Sequence, residues 1–252
     1  MTLIGEIVAR TRERVEEIEA KVEVTGMRDP LKRVEEVKSD GKVPVIAEVK
    51  PSSPSGLKGN IPPAEAARIA AEMQKGGAAA ISVLTEPYYF NGSMENLKSV
   101  RDATKVPVLR KDFIIDERQI YETDADLILL IARILDRSLK DFVDIALSHG
   151  LQPLVEVHNQ KELEKALETK TRIVGVNNRN LDTLEIDLGT SEELIPEIKK
   201  RRPDLIVISE SGIHDCNDVR RVMDVGADAI LVGTSIIKGD IPEKTRELVN
   251  SI

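Results

Sequence analysis

A single cysteine, no tryptophan and no long apolar run set the first limits on this chain. With Cys216 alone, no internal disulfide framework can form, and a thiolate metal site lacks its ligands. No apolar stretch approaches the roughly 18–20 residues that a membrane-spanning helix requires. The opening residues Met-Thr-Leu-Ile-Gly-Glu lack the basic region and apolar core of a secretory signal, so a cytoplasmic protein with no membrane partner is expected. Aromatic residues make up only 2% of the chain, and no basic stripe is interleaved with them. Together with a net charge of −8, this argues against a nucleic-acid partner. The three histidines, His149, His158 and His214, have no zinc-like spacing. A nucleophile elbow, a P-loop and a dinucleotide fingerprint are all missing.

What is present is a hydrophobic fraction of 41% beside a charged fraction of 32%, which suits a globular protein with a densely charged surface. Continuous apolar runs end near Glu48, Leu84, Arg110, Ile131, Val157, Asn177, Ser209 and Val232. Such runs are the mark of parallel strands covered on both faces. Helix-like segments lie between them at 63–75, 94–104, 139–148, 160–169, 192–201 and 215–225. Eight strands with eight intervening connections predict an α/β fold, a closed (βα)8 barrel of the TIM type, and a single domain over residues 1–252. The third unit is the weak one. Residues 119–123 offer barely a turn of helix, which leaves a seven-stranded open sheet as the alternative. Residues 1–42 form an N-terminal helical extension, with Leu3, Ile7, Val15 and Ile18 among charged residues and a second pattern from Leu31 to Val37. It serves either as a cap on the barrel bottom or as a lid over the opposite mouth.

In such barrels the chemistry collects where strands end and loops begin. Strand one ends in Glu48 and Lys50, which alternation sends to the same side. Residues 51–56, rich in Ser, Pro and Gly, follow. Strand three delivers Lys111, strand five Glu156, strand six Asn177 and strand seven Glu210. Any one of these is more often an ion-paired structural group than a catalyst. Six in one layer make that explanation poor, because burying charge is costly unless the groups pair or react. Glu210-Ser211-Gly212 and Gly233-Thr234-Ser235 close strands seven and eight, where such barrels commonly bind phosphate. Lysine and glutamate acid–base chemistry on a phosphorylated small molecule, with no metal and no cofactor, is the expectation.

These motifs, in this order, resemble the indole-3-glycerol phosphate synthase family. The matching pieces are Ile-Ala-Glu-Val-Lys-Pro-Ser-Ser-Pro-Ser-Gly, Leu-Thr-Glu-Pro-Tyr-Tyr-Phe-Asn-Gly-Ser, Arg-Lys-Asp-Phe-Ile, Leu-Val-Glu-Val-His, Val-Asn-Asn-Arg-Asn-Leu, Ser-Glu-Ser-Gly-Ile and Leu-Val-Gly-Thr-Ser. The resemblance implies a lyase of tryptophan biosynthesis that closes the indole ring with loss of carbon dioxide and water. It implies Lys111 as principal acid, Glu48 and Glu156 as acid–base groups, and Lys50 as an ion-pairing residue able to transfer protons. Asn177, Glu210 and Ser211 would orient the substrate and the lysines. Ser53, Gly212, Gly233 and Thr234 would hold phosphate, Arg179 would face the anthranilate carboxylate, and Phe90 and Phe113 would wall the aromatic ring. The segment 119–126 is shorter than the family usually shows. Two rivals are another phosphate-binding barrel, such as the preceding isomerase of the pathway, and an idle barrel that only binds a metabolite. The oligomeric state is open, a monomer included.

Overall fold

The structure is a computed structural model that describes residues 2–19, 21–52 and 59–252. Two helices come first, α1 (Leu3–Val15) and α2 (Pro30–Ser39). The repeating units follow as β1 (Val45–Val49), α3 (Pro63–Lys75), β2 (Ala80–Leu84), α4 (Met94–Ala103), β3 (Val108–Lys111), α5 (Glu117–Tyr121), β4 (Leu127–Ile131), α6 (Ala132–Leu135) and α7 (Leu139–Ser148). The second half runs β5 (Gln152–Val157), α8 (Gln160–Leu167), β6 (Ile173–Asn177), α9 (Gly189–Arg201), β7 (Ile206–Glu210), α10 (Cys216–Asp224), β8 (Ala229–Val232), α11 (Thr234–Lys238) and α12 (Ile241–Val249). The strands are parallel and pair in sequence order. β8 returns to β1 through Val45 against Ile230 and Ala47 against Val232, so the sheet is a closed barrel.

Strand alternation divides the core in two. Val45, Ala47, Val49, Ile81, Val83 and their equivalents face outward onto the helices. Ile46, Leu109, Leu129, Leu154, Ile173, Ile208 and Leu231 fill the barrel interior. The helices begin where the sequence supplies caps. Asp29 with Pro30 starts α2, Asn159 starts α8 and Asp215 starts α10, each side chain accepting from backbone N–H groups.

The third unit keeps only five helical residues, yet the sheet does not open there. Arg110 points outward from β3 and is fully buried. Its guanidinium donates to the Gln119 carbonyl (2.7 Å), Thr123 Oγ1 (2.7 Å), Glu122 (2.7 Å) and Asp112 (3.0 Å). Hydrogen bonds from one side chain thus take the place of a long helix face. Asp116 and Gln119 form a reciprocal capping box on the short α5.

The two readings of the extension divide between its helices. α1 lies at the mouth where strands end: Ile7 is buried in the cluster that holds Phe113, and Arg14 Nη2 donates to Asp112 at 2.9 and 3.0 Å. α2 lies at the opposite end. Lys38 pairs with Asp228, directly before β8, and the Arg28 backbone N–H just ahead of α2 donates to Asp126, directly before β4. Among the described residues no helix is long and apolar enough to cross a membrane.

Candidate active site

The inward positions at the strand ends carry Glu48 on β1, Lys111 on β3, Glu156 on β5, Asn177 on β6 and Glu210 on β7. They meet at a cavity of about 310 Å³. Lys111 Nζ lies 2.9 Å from Glu210 Oε2 and 3.5 Å from Glu48 Oε1, while Lys50 Nζ lies 2.8 Å from Glu48 Oε2. Two ammonium groups and two carboxylates therefore form one alternating row, Lys50–Glu48–Lys111–Glu210. Glu156 approaches from the β5 side of the same mouth and belongs to the cavity lining.

Burial and charge oppose each other across this row. Burial disfavours the charged lysine, but Glu210, Glu48 and Glu156 outweigh it and hold Lys111 protonated well above its ordinary range. Burial would raise Glu48, yet Lys50 and Lys111 keep it below the usual carboxylate range. Glu156 is held low against burial by His158, then by Lys111 and Asn177. Glu210 is pushed up by burial, which Lys111 offsets in part and the charges of Glu156 and Glu48 reinforce. The site thus contains a donor, Lys111, that stays charged and two carboxylates, Glu48 and Glu156, that stay ionised.

Every expected site residue lines the cavity except two. Glu210 lies fully buried beneath it, reaching Lys111 from below. Ser53 falls outside the described residues. Phe90 and Phe113 form one wall, ring centroids 6.1 Å apart and tilted by 36°. Arg179 is half-buried, donates through Nη1 to the Leu184 carbonyl (3.1 Å) and has its backbone N–H on Asn177 Oδ1 (3.0 Å). Burial lowers its pKa, with Glu48 acting the other way. At the far end Ser211 and Gly212 both take left-handed backbone, with φ of 68° and 83°.

Four supporting residues, Asn178, Glu86, His158 and Glu162, have no role assigned from sequence, although the first three stand at strand ends. Asn178 places its amide nitrogen 3.0 Å from Ser209 Oγ and from the carbonyls of Glu210 and Ser211, and so holds Ser211 in a conformation rare for a side chain bearing a Cβ. Glu86, also buried, accepts from the N–H groups of Tyr88, Tyr89 and Phe90 and fixes the aromatic loop. His158 touches Glu156, with Nε2 3.2 Å from Oε1, and its other nitrogen meets Glu162 at 2.9 Å. The usable signal was spacing: His158 follows Glu156 by two, and Asn159 precedes Glu162 by three in a capping pattern.

A closed barrel with lysines and carboxylates converging on its strand-end mouth defines a (βα)8-barrel enzyme built for acid–base chemistry. The family model for indole-3-glycerol phosphate synthase matches residues 4–248, and the chain belongs to that family. The synthase of Halobacterium salinarum is 46% identical over 214 residues, covering 84% of this chain and 83% of that protein. The synthase of Methanopyrus kandleri is 42% identical over 253 residues, covering 98% of each. Among solved structures, N-acetylmannosamine-6-phosphate 2-epimerase from Clostridium perfringens aligns with a TM-score of 0.58 at 18% identity, covering 77% of this chain and 87% of that one. Thiamine phosphate pyrophosphorylase from Pyrococcus furiosus aligns with a TM-score of 0.59 at 18% identity, covering 82% and 93%. These two share the fold.

Proposed function

We propose that the chain closes the indole ring of 1-(2-carboxyphenylamino)-1-deoxyribulose 5-phosphate with Lys111 as the principal acid. The observation that carries this is the row Lys50–Glu48–Lys111–Glu210 at the cavity floor. As the aryl carbon attacks the ketone carbon, the ketone oxygen needs a proton. An ammonium held charged by carboxylates on either side supplies it at any neutral pH. The electron pair of the bond to the carboxylate then returns to the ring as carbon dioxide leaves, and aromaticity is restored. The new hydroxyl leaves as water on taking a proton from a lysine, and an ionised carboxylate takes the ring proton. Glu48 and Glu156, both held in the ionised form, suit that second role, which leaves Lys50 and Lys111 as donors.

Binding follows the polarity of the cavity. Phe90 and Phe113 would wall the aryl ring on one side, with Arg179 for its carboxylate. Ser211, Gly212, Gly233 and Thr234 line the end suited to the phosphate. Asn177 and Glu210 would orient the hydroxyls and Lys111. The working unit is taken as a monomer, with α1 and α2 folded onto opposite ends of one barrel domain.

The test is indole fluorescence after mixing purified protein with this substrate in chelator, beside a Lys111→Ala variant. Wild-type product, with kcat reduced by about 10²–10⁴ in the variant and KM little moved, is expected. Turnover in the variant within tenfold of wild type would move the acid role to Lys50. An inactive wild type would sink the proposal.

A further inference from the structure

His158 stands two residues beyond Glu156, so alternation at the end of β5 returns its ring to the same side. Its side chain is only 9% exposed. Nε2 lies 3.2 Å from Glu156 Oε1 and Nδ1 lies 2.9 Å from Glu162 Oε2. Glu162 is itself fixed. Its Oε1 accepts from Asn159 Nδ2 (2.8 Å), its Oε2 accepts from the His158 backbone N–H (2.8 Å), and its own N–H donates to Asn159 Oδ1 (3.0 Å) in the cap of α8. A carboxylate–imidazole–carboxylate row therefore runs from the cavity into the start of α8.

An imidazole with a carboxylate at each nitrogen has one protonation state that suits it. The neutral ring carries hydrogen on one nitrogen only and would set a lone pair against carboxylate lone pairs at the other. The doubly protonated ring donates to Glu162 through Nδ1 and sets its second N–H, at Nε2, within ion-pair distance of Glu156. We propose that His158, clamped by Glu162, is the positioning cation of Glu156, fixing the direction of its carboxylate and keeping it ionised for its part in the reaction. This rests on the acid–base role given to Glu156 above.

The surrounding charges agree. Burial opposes a charged ring, but Glu156 and Glu162 outweigh it and push His158 up to about 9. Burial would raise both carboxyls, and His158 leads the contacts that hold each of them low. Beyond Glu156 stands Lys111 of β3, tied in turn to Glu48 of β1 and Glu210 of β7, with Asn177 of β6 also on Glu156. Arg133 of α6 is engaged elsewhere, with Asp182, and Lys165 of α8 pairs with Asp136.

Two measurements on the full chain decide it. The first is an NMR titration of ¹⁵N-histidine-labelled protein, the His158 resonance being assigned by removing the other two histidines in turn, with His149→Gln and His214→Gln. A ring that stays doubly protonated to above about pH 8, and that titrates a unit or more lower in Glu162→Gln, is expected. A wild-type ring that titrates near its ordinary value would overturn the proposal. Because it needs no turnover and no mutation at His158, this arm stands even where His158→Gln fails to fold. The second is the pH dependence of kcat. His158→Gln should gain an acid limb absent from wild type, with kcat tenfold or more below its plateau near about pH 5 and KM little changed, as Glu156 becomes protonated. A loss of equal size at every pH would mark a merely structural role and overturn the proposal alone. Full turnover in Glu156→Gln would instead overturn the role of Glu156, and that of His158 with it.

Discussion

At Gly175 a side chain would overlap Glu210 Oε1, and its Cβ would come within 2.8 Å of Leu154 Cδ2. The bare strand position lets the Glu210 carboxylate lie across the barrel to Lys111. Gly233 does the same for Glu48, whose Oε2 would sit 2.6 Å from an added Cβ. Gly175→Ala should therefore move Glu210 and, on its proposed role of orienting Lys111, lower kcat about 10²-fold, the cost of misplacing a reacting group by about an ångström. Overpacking should cost about 1–3 kcal/mol besides. Steady-state kinetics beside urea unfolding would check both, and an unchanged kcat would show that Glu210 adjusts without consequence. His158 predicts a pH effect on stability as well. Its folded pKa is raised, so its contribution is full below the unfolded value and is lost as pH rises through about 9. The carboxylates of Glu156 and Glu162 are lowered, so their share is present above the unfolded value and fades as pH falls. The stability gap between wild type and His158→Gln should be on the order of 2 kcal/mol near pH 6 and shrink by about pH 10 in urea melts. A glycine amid Arg-Ile-Val-Gly-Val-Asn could be read from sequence as a place of close approach. What approaches it could not, because Glu210 reaches Gly175 only through the register of β6 on β7.

The elements themselves were largely legible. Continuous apolar runs place all eight strands to within a residue or two of their observed ends, and 63–75 and 139–148 coincide with α3 and α7. The short third unit left the choice between open and closed sheet undecided. The deciding residue, Arg110, reads in sequence as one more polar strand end, whereas in the fold it points away from the mouth. Likewise the apolar stripe of α1 was readable but its destination was not, since Asp112 lies 98 residues from Arg14. Arg14→Ala should loosen α1 from the mouth and cost about 1.5–3 kcal/mol, the range for hydrogen bonds to charged groups. Asp112 keeps Arg110, so the barrel itself should hold. Limited proteolysis should then cut within residues 2–19 well before the barrel. Equal resistance in wild type and variant would show that packing of Ile7 alone holds the helix.

Across the whole molecule, the first forty residues touch both ends of the barrel, and they do so through partners far along the chain. Lys38 pairs with Asp228, and the Val43 N–H donates to the Val249 carbonyl in α12. The ribosome releases α1 and α2 long before it has made the surfaces they cover. α1 has a seat once Asp112 and Phe113 have emerged, but α2 and the start of β1 wait for nearly the whole polypeptide. Chains stalled short of residue 228 should leave α2 open to protease while the full chain protects it, and early protection would show that local contacts suffice. Synthesis from the N-terminus therefore makes α2, which precedes every strand, one of the last elements to settle, and the barrel end it covers is sealed only once Asp228 and β8 have been made.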